Sequence, residues 1–304
     1  MQKRSIGNSK LLASTIGLGC MSLSTTSQES EYILHKAIDM GVNYFDTADL
    51  YDYGQNETLI GKSLKKKRQD ILIATKVGNE WKDQKEGWTW NPTKKYIKQA
   101  VKSSLKRLQT DYIDLYQLHG GTIDDPIEET IEAFEELIQE GWIRYYGISS
   151  IRPNVIKEYV NKSNISSVMM QYSLLDRRPE EEIMPLLAEK NISLIARGPV
   201  AKGLLSEAFL TKLNEDGYLD YSQEELSQVL PRLQHLAHQH NYELQQLALH
   251  YCLGNKPTAT VVPGARTLQQ LLNNLSTQEI DGLSNELLSK LETLVKRSLY
   301  TLHR

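Results

Sequence analysis

The stretch IDLYQLHGGTIDDPIEETIEAFEELIQEGWIRYYGISS, at residues 113–150, contains one complete strand–helix–strand unit. The runs 113–119 and 145–150 are short and largely apolar, as expected for strands that are covered on both faces. Between them, residues 127–142 carry apolar side chains at helical spacing. Because parallel strands need a crossover connection, which is usually a helix, this unit predicts two parallel strands covered by a helix.

The same pattern recurs eight times along the chain. The strand-like runs are TIGLGCM (15–21), NYFDTA (43–48), ILIATKVG (71–78), IDLYQLH (113–119), YYGISS (145–150), SSVMMQYS (166–173), SLIARGPV (193–200) and ATVVPGA (259–265). Eight strand-then-helix units predict an α/β fold, a closed (β/α)₈ TIM barrel rather than an open doubly wound sheet. We expect residues 1–304 to form a single domain of this kind. The segment GLGCMS lacks the third glycine of G-x-G-x-x-G, which argues against a Rossmann domain.

Several segments lie outside the repeat. Residues 3–14 predict an N-terminal β-hairpin with Gly7 and Asn8 in its turn, placed to plug the barrel floor. Two long excursions, residues 78–92 and 205–222, follow the third and seventh strands and should lie on the face that carries the active site. The first holds Trp81, Trp88 and Trp90, which line a substrate pocket or merely pack the loop onto the barrel. Extra helices are expected near the C-terminus.

Composition excludes several function classes. The 304 residues carry a net charge of −3, which gives no general attraction to nucleic acid or anionic membrane. We interpret the basic run KSLKKKRQD (62–70) as a solvated helix end. Two cysteines provide neither a disulfide framework nor a zinc site and are typical of a reducing compartment. We see no apolar signal region and no 18-residue apolar run, so we expect a cytoplasmic protein. Charge and composition permit a monomer, and we expect a monomer or a weak oligomer.

Polar side chains end three successive strand-like runs. Asp46 ends the second, Lys76 the third and His119 the fourth. The C-terminal ends of barrel strands meet on one face, so these side chains should cluster there. A buried lysine is costly without a nearby anion, and Asp46 on the adjoining strand can supply it. Tyr51 lies five residues after Asp46, where a tight loop can return it to the same rim.

This set of side chains is suited to proton transfer. An ammonium stabilises a phenolate beside it, and a carboxylate holds the ammonium in place. A neutral imidazole can donate a hydrogen bond to a carbonyl oxygen and position it. We interpret Asp49, Asp52 and Tyr53 as residues of the rim, with Asp49 or Tyr53 as candidates for substrate contact, and Tyr44 as a packing residue.

Three motifs resemble the signature regions of the aldo-keto reductases. They are GVNYFDTADLYDYGQNE (41–57), ILIATKVG (71–78) and DYIDLYQLH (111–119). The likeness runs from IGLGCMSL (16–23) to VPGARTLQQLLNNL (262–275), which is nearly the whole chain. It is nearest to the bacterial branch that is related to potassium-channel β subunits. It implies a TIM barrel, a nicotinamide cofactor bound without a Rossmann fold, and NADPH-dependent reduction of aldehydes or ketones to alcohols.

The resemblance also implies roles for individual residues. Tyr51 would be the general acid in reduction, Lys76 paired with Asp46 would tune it, and His119 would orient the carbonyl. The positions implied to bind the cofactor are Gly19, Cys20, Met21, Asp46, Ser149, Ser150, Gln171, Arg197, Gly198, Pro199, Val200, Ala201, Lys202, Gly203, Gly264, Arg266, Gln270, Asn273 and Asn274.

Within this set, the resemblance gives each region its own part of the cofactor. Ser149, Ser150 and Gln171 would reach the carboxamide, and GPVAKGLL (198–205) would wrap the pyrophosphate. Arg266 would pair with a 2′-phosphate, which favours NADP(H) over NAD(H). Many family members have an arginine where this chain has Gln270.

Arg197 is the main departure from the family pattern, because an aromatic residue usually stacks on the nicotinamide at this position. A guanidinium is planar and can stack on a ring. Its positive charge opposes the cationic, oxidised nicotinamide, so we expect Arg197 to favour the reduced cofactor and to attract an anionic substrate. The alternative is that Arg197 points to the phosphates.

Other functions remain as alternatives. The same fold serves as an NADP(H)-binding redox sensor with little turnover in the channel β subunits. A carboxylate-based hydrolase would need a second acid at a strand end, and the later strands offer Ser, Gln and Arg instead. His235, His238 and His240 form a cluster, but no carboxylate has fitting spacing along their helix, so we expect no metal site.

Overall fold

The computed structural model describes residues 1–83, 87–276 and 282–304, with backbone only at position 83. The described strands are β1 (Lys3–Ser5), β2 (Leu12–Ser14), β3 (Leu18–Gly19), β4 (Tyr44–Asp46), β5 (Leu72–Val77), β6 (Asn79–Asp83), β7 (Gly87–Trp90), β8 (Ile113–Leu118), β9 (Ile143–Ser149), β10 (Ser167–Gln171), β11 (Ser193–Arg197) and β12 (Thr258–Val262). The described α-helices are α1 (Gln28–Asp39), α2 (Gln55–Leu64), α3 (Lys94–Leu108), α4 (Ile127–Gln139), α5 (Pro153–Lys162), α6 (Ile183–Glu189), α7 (Gln223–Gln239), α8 (Leu244–Gly254), α9 (Leu268–Leu275) and α10 (Asn285–Leu294).

Eight parallel strands form the barrel, in the order β3-β4-β5-β8-β9-β10-β11-β12. The sheet closes between its first and last strands through backbone bonds from Gly17 N to Val261 O (2.8 Å) and from Gly19 N to Pro263 O (3.1 Å). All eight predicted strands are present, and the predicted (β/α)₈ barrel is confirmed. The interior is filled by side chains such as Tyr44, which is fully buried, so it is a packed core and not a channel.

The N-terminal hairpin β1–β2 plugs the barrel floor, as predicted. Ile6 and Leu11 of this hairpin are buried in the same cluster as the inward-facing barrel side chains. Its turn fits under the barrel because Gly7 has no side chain: a Cβ there would approach Ser166 O to 2.3 Å. Gly7 also has a left-handed φ of +51°. Its N–H donates to Ser193 Oγ at 2.7 Å, which fixes the hairpin to β11.

The two excursions differ in structure. In the first, β6 and β7 pair antiparallel and form what we call the hairpin β6–β7 above the third barrel strand; residues 84–86 of this excursion lie outside the described ranges. Residues 205–222 form short turns, including an isolated bridge between Tyr218 and Tyr221. In the C-terminal third, α7 and α10 are additional to the eight repeat helices, as predicted: α8 packs on β12 and α9, whereas α7 packs on α8 and α10. Within the described ranges, no helix combines the length and hydropathy that crossing a bilayer would need.

Replacing Gly7 by alanine should destabilise the protein more than a matched substitution at Gly141. Both glycines have positive φ, but nothing lies within 4 Å of a Cβ at Gly141. We expect Gly141→Ala to cost about 1–2 kcal/mol for the left-handed backbone. Gly7→Ala should cost about 1–3 kcal/mol more, because the new methyl group overpacks the site beside Ser166. Free energies of unfolding in denaturant measure both; equal losses would show that the hairpin relaxes without cost.

Candidate active site

A buried ion pair forms the centre of the site. Lys76 Nζ donates to Asp46 Oδ1 at 2.5 Å and to the backbone oxygen of Thr47 at 2.7 Å. Lys76 is 1% exposed and Asp46 is 5% exposed. Burial alone would lower the pKa of Lys76, but the charges and hydrogen bonds of Asp46 and Tyr51 raise it above its ordinary value. Lys76 is therefore held as an ammonium ion at the end of an apolar strand.

Tyr51 completes this arrangement from the loop after β4. Its hydroxyl lies 3.3 Å from Lys76 Nζ. The loop returns Tyr51 to the rim through a tight turn in which Asp52 (φ +46°), Tyr53 (φ +54°) and Gly54 (φ +82°) are all left-handed. The left-handed region costs roughly 1–2 kcal/mol for each non-glycine residue. Such strain is tolerated where the surroundings fix the conformation, and it is common beside functional side chains.

His119 lies beside the phenol and remains neutral. The two ring centroids are 5.9 Å apart, at an interplanar angle of 85°. Burial, followed by the charges of Lys76 and Arg197, lowers the pKa of His119 from 6.5 to about 3. Its Nδ1 atom is buried and has no hydrogen-bond partner in the described part of the chain. A neutral imidazole with one unused ring nitrogen can donate to or accept from a ligand.

Sequence reasoning missed Gln117, which also contacts this ion pair. Its Nε2 atom donates to Asp46 Oδ2 at 3.5 Å, and its backbone pairs with Lys76. A signal was present, because residues 117 and 119 lie on the same side of one strand and should both face the site. Asp49 is a correction in the other direction: predicted on the rim, it is 5% exposed and buried.

Three polar side chains lie at the ends of β9, β10 and β11, where the resemblance places the carboxamide of the cofactor. Ser149 and Gln171 end adjacent strands. Arg197 Nη1 donates to Gln171 Oε1 at 3.2 Å, so the guanidinium lies at the mouth of the barrel beside an amide. Ser150 is also buried, but its hydroxyl already accepts from Arg152 N at 3.2 Å.

Residues 198–203 form a strained, glycine-flanked turn that fits a pyrophosphate. Gly198 and Gly203 have positive φ values, as do the non-glycine residues Ala201 (φ +47°) and Lys202 (φ +57°). Turns that combine right- and left-handed residues point backbone N–H groups into a concave anion site. The side chain of Lys202 is exposed and can reach an anion there. Pro199 and Ala201 are buried and support the turn from below, and Val200 packs against the core.

The segment assigned to adenosine lies at the seam where the barrel closes. Gly19 bridges Gly264, and a Cβ on Gly264 would approach Ser22 Oγ to 2.7 Å. That hydroxyl is buried and has no partner among the described residues, which fits a polar group of a ligand. Asn274 is buried and donates to Gly264 O at 3.1 Å, so its side chain holds the loop.

The remaining assigned residues differ in how they face a ligand. Cys20 is fully buried and its sulfur contacts Leu18 O, so only its backbone can meet a cofactor. Met21 is 66% exposed. Gln270 Oε1 accepts from Arg266 N at 2.8 Å, and the Asn273 side chain accepts from Gln269. Gln270 thus orders the loop that carries Arg266.

The tryptophan-bearing hairpin adjoins the tetrad of Asp46, Tyr51, Lys76 and His119. Trp81 packs on Tyr53 with ring centroids 4.2 Å apart, and its indole N–H lies 3.5 Å from Asp49 O. Trp90 donates to Asp125 Oδ1 at 2.9 Å, whereas Trp88 is 50% exposed. Trp81 and Trp90 therefore attach the hairpin to the barrel, and Trp88 presents an apolar surface to solvent.

One histidine of the cluster on α7 lies close to two glutamates that are not on that helix. Ligand atoms of His238, Glu207 and Glu243 lie within 4.8 Å of one another on the surface. The prediction from sequence used only spacing along the helix, and both glutamates come from other elements; the expectation of no metal site stays a prediction. His235 contacts Gln239, and not this group.

Replacing Lys76 by methionine should cost about 3–5 kcal/mol of stability, because Asp46 is left as a buried, unpaired carboxylate. The double variant Lys76→Met/Asp46→Asn should recover part of that loss. Lys94→Met is the control: Lys94 forms a surface pair with Glu136, and we expect its loss of stability to be much smaller, because solvent screens an exposed pair. Unfolding free energies measure all three. A Lys76→Met loss no larger than that of Lys94→Met would refute the central role of the ion pair.

Comparisons with known proteins agree with this geometry. The model of the aldo/keto reductase family matches residues 15–296. The chain is 54% identical over 308 residues to the uncharacterized oxidoreductase YqkF of Bacillus subtilis, covering all of both chains. It is 31% identical to a probable aldo-keto reductase 1 of Glycine max, covering 90% of this chain and 84% of that one.

Solved structures show the same likeness. The holo form of aldo-keto reductase AKR11C1 from Bacillus halodurans superposes with a TM-score of 0.94 at 54% identity, covering 100% of this chain and 99% of that chain. Its apo form gives a TM-score of 0.85 at 50% identity, with the same coverage. The chain therefore belongs to the aldo/keto reductase family and is a nicotinamide-dependent oxidoreductase.

Proposed function

We propose that this protein reduces aldehydes or ketones to alcohols, with Tyr51 as the proton donor to the carbonyl oxygen. The observation that carries the proposal is the chain of contacts from Asp46 through Lys76 to the Tyr51 hydroxyl, at 2.5 and 3.3 Å. The bound nicotinamide would supply hydride to the carbonyl carbon. The protein would hold the substrate oxygen, donate the proton and screen the developing charge.

Each residue of the tetrad has a separate task in this proposal. Tyr51 transfers its phenolic proton as the carbonyl oxygen gains negative charge. The Lys76 ammonium stabilises the phenolate that remains, and Asp46 keeps Lys76 in position. His119 is neutral, so it can donate a hydrogen bond to the carbonyl oxygen without competing as a proton source. The later strand ends offer no second carboxylate, which keeps the hydrolase alternative disfavoured.

Apolar groups at the mouth favour a carbonyl substrate with an apolar substituent. Trp81 and Tyr53 form a tilted ring pair next to Tyr51, and Trp88 is half exposed on the same excursion. Arg197 lies on the opposite side, over Gln171. We infer that the apolar part of the substrate lies toward the tryptophans, and that Arg197 faces the cofactor side of the site.

NADP(H) is our preferred cofactor because of Arg266. Among the described residues, its guanidinium has no carboxylate partner, and its backbone N–H is fixed by Gln270 at the start of α9. A helix N-terminus favours an anion, and an arginine can bind phosphate through two parallel hydrogen bonds. These features suit the 2′-phosphate that distinguishes NADP(H) from NAD(H).

Replacing Tyr51 by phenylalanine tests the mechanism. We expect kcat with NADPH and a panel of aldehydes and ketones to fall about 10²–10⁴-fold, the usual contribution of a general acid. Tyr44→Phe is the matched control, because Tyr44 is buried two residues before Asp46 and its hydroxyl has no partner in the described residues. It should retain full activity.

Two other outcomes would contradict the proposal. Full activity in Tyr51→Phe would remove Tyr51 as the proton donor. NADPH binding by the wild type, followed through tryptophan fluorescence, with no turnover of any carbonyl in the panel would instead favour the redox-sensing alternative.

Replacing Arg266 by alanine tests the cofactor preference. Hydrogen bonds to a charged group contribute about 1.5–3 kcal/mol, so the Kd for NADPH should rise about 10- to 100-fold. The Kd for NADH should stay nearly constant, since NADH has no 2′-phosphate. Arg232→Ala on α7 serves as a charge-matched control and should change neither constant. Equal weakening of both cofactors by Arg266→Ala would argue against a phosphate contact.

A further inference from the structure

The amide of Gln171 is held between two side chains from different parts of the fold. Its Nε2 atom donates to the Tyr218 hydroxyl at 3.1 Å, and its Oε1 atom accepts from Arg197 at 3.2 Å. A guanidinium is a donor only, so the atom of Gln171 that faces Arg197 must be the oxygen. The amino group must then face Tyr218. Arg197 thus fixes which end of the amide points which way, and Tyr218, whose hydroxyl can donate or accept, holds the amino end in place.

Tyr218 comes from the excursion after the seventh barrel strand, and it is itself firmly held. It is 6% exposed, and burial raises its pKa to about 12, so the phenol is neutral at physiological pH. Tyr218 and Tyr221 exchange two backbone hydrogen bonds, at 2.9 and 3.0 Å, across a tight turn. The turn contains Leu219 in a left-handed conformation (φ +55°), which is costly for a branched residue.

The C-terminal segment after α10 clamps this turn against the barrel. The Tyr221 hydroxyl accepts from Lys296 N at 2.5 Å. Ser298 Oγ donates to the carboxylate of Asp220, with distances of 3.0 and 3.1 Å to its two oxygens, and Lys296 Nζ donates to Asp220 O at 2.6 Å. The position of Tyr218 is thus set by contacts far from the tetrad.

We propose that Tyr218 is a positioning residue that holds the Gln171 amide, in the orientation that Arg197 sets, at the carboxamide of the bound cofactor. This inference rests on the proposed nicotinamide site. With its amino group committed to Tyr218, Gln171 presents Oε1, and an amide oxygen has two lone pairs. One accepts from Arg197, and the other is available to the amino group of the carboxamide. The orientation of the carboxamide in turn selects the face of the ring that meets the substrate.

The test compares NADPH with its reduced 3-acetylpyridine analogue, in which a methyl ketone replaces the carboxamide. The analogue lacks the amino group that Gln171 Oε1 would receive. In wild type, the ratio of kcat/KM for NADPH to kcat/KM for the analogue should therefore be raised by the hydrogen bond that only NADPH can form. In Tyr218→Phe, Arg197 still keeps the Gln171 oxygen toward itself, but the amide loses the anchor at its amino end, so NADPH loses its hydrogen bond to Gln171 whereas the analogue has none to lose. The preference for NADPH over the analogue should therefore fall about fivefold to tenfold, the size of one hydrogen bond, both in kcat/KM and in the dissociation constants measured by fluorescence titration without substrate.

Tyr221→Phe is the matched control. It removes a hydroxyl from the same turn, where the hydroxyl contacts the C-terminal segment and not Gln171. Its ratio should stay close to that of wild type, because Lys296 and Ser298 still hold the turn through Asp220 and the contact of Tyr218 with Gln171 is kept. Thermal unfolding of both variants checks that they are folded.

A double variant tests whether Tyr218 acts through Gln171. In Gln171→Ala, adding Tyr218→Phe should leave the ratio unchanged, because Tyr218 acts only through the amide. A ratio that Tyr218→Phe does not move in an otherwise wild-type protein overturns the inference. Failure of the wild type to turn over either cofactor would instead refute the proposed function.

Discussion

The buried ammonium of Lys76 is the constraint on which the rest of the site depends. A cation that is 1% exposed must be surrounded by oxygen atoms, or it would lose its proton or move out to solvent. The segment from Asp46 to Tyr51 supplies all three contacts: a carboxylate, a backbone carbonyl and a phenol. The left-handed turn after Tyr51 is strained, and these contacts with the lysine offset that strain. One side chain on β5 therefore organises the loop that follows β4.

The barrel supplies the precision that this arrangement needs. Neighbouring parallel strands are in fixed register, so Lys76 lies beside Gln117 on the next strand. Side chains two residues apart share a face, which places His119 on the same side as Gln117. Both strands are packed on an interior closed below by the N-terminal hairpin. The catalytic face therefore stands on a rigid core, while its loops remain free to differ between relatives.

Much of this could be predicted from sequence, because the signals are local. The eight strands follow from short apolar runs, and Asp46, Lys76 and His119 are polar residues at the ends of such runs. Asp49 was misplaced because the loop sequence gave no sign that its carboxylate would be buried, near Glu57 and Arg107. The approach of Glu207 to His238 and the contact of Tyr218 with Gln171 join residues that are distant in sequence. No spacing rule along one element could find them, because tertiary packing alone creates these neighbours.

The barrel closes at a seam between its first and last strands, and the proposed cofactor site lies across it. The first and last barrel strands meet through Gly19 and Gly264, and the N-terminus of α9 is reached by Glu29 from α1, with Leu268 N lying 3.4 Å from its carboxylate. A cofactor bound as proposed would span this seam, since its adenosine end would lie on α9 and its nicotinamide would lie over β9–β11. A ligand that binds only the closed barrel stabilises it by mass action. Cofactor binding would then reinforce the junction at which the two ends of the chain complete the fold, so that barrel closure and assembly of the reactive site become one event.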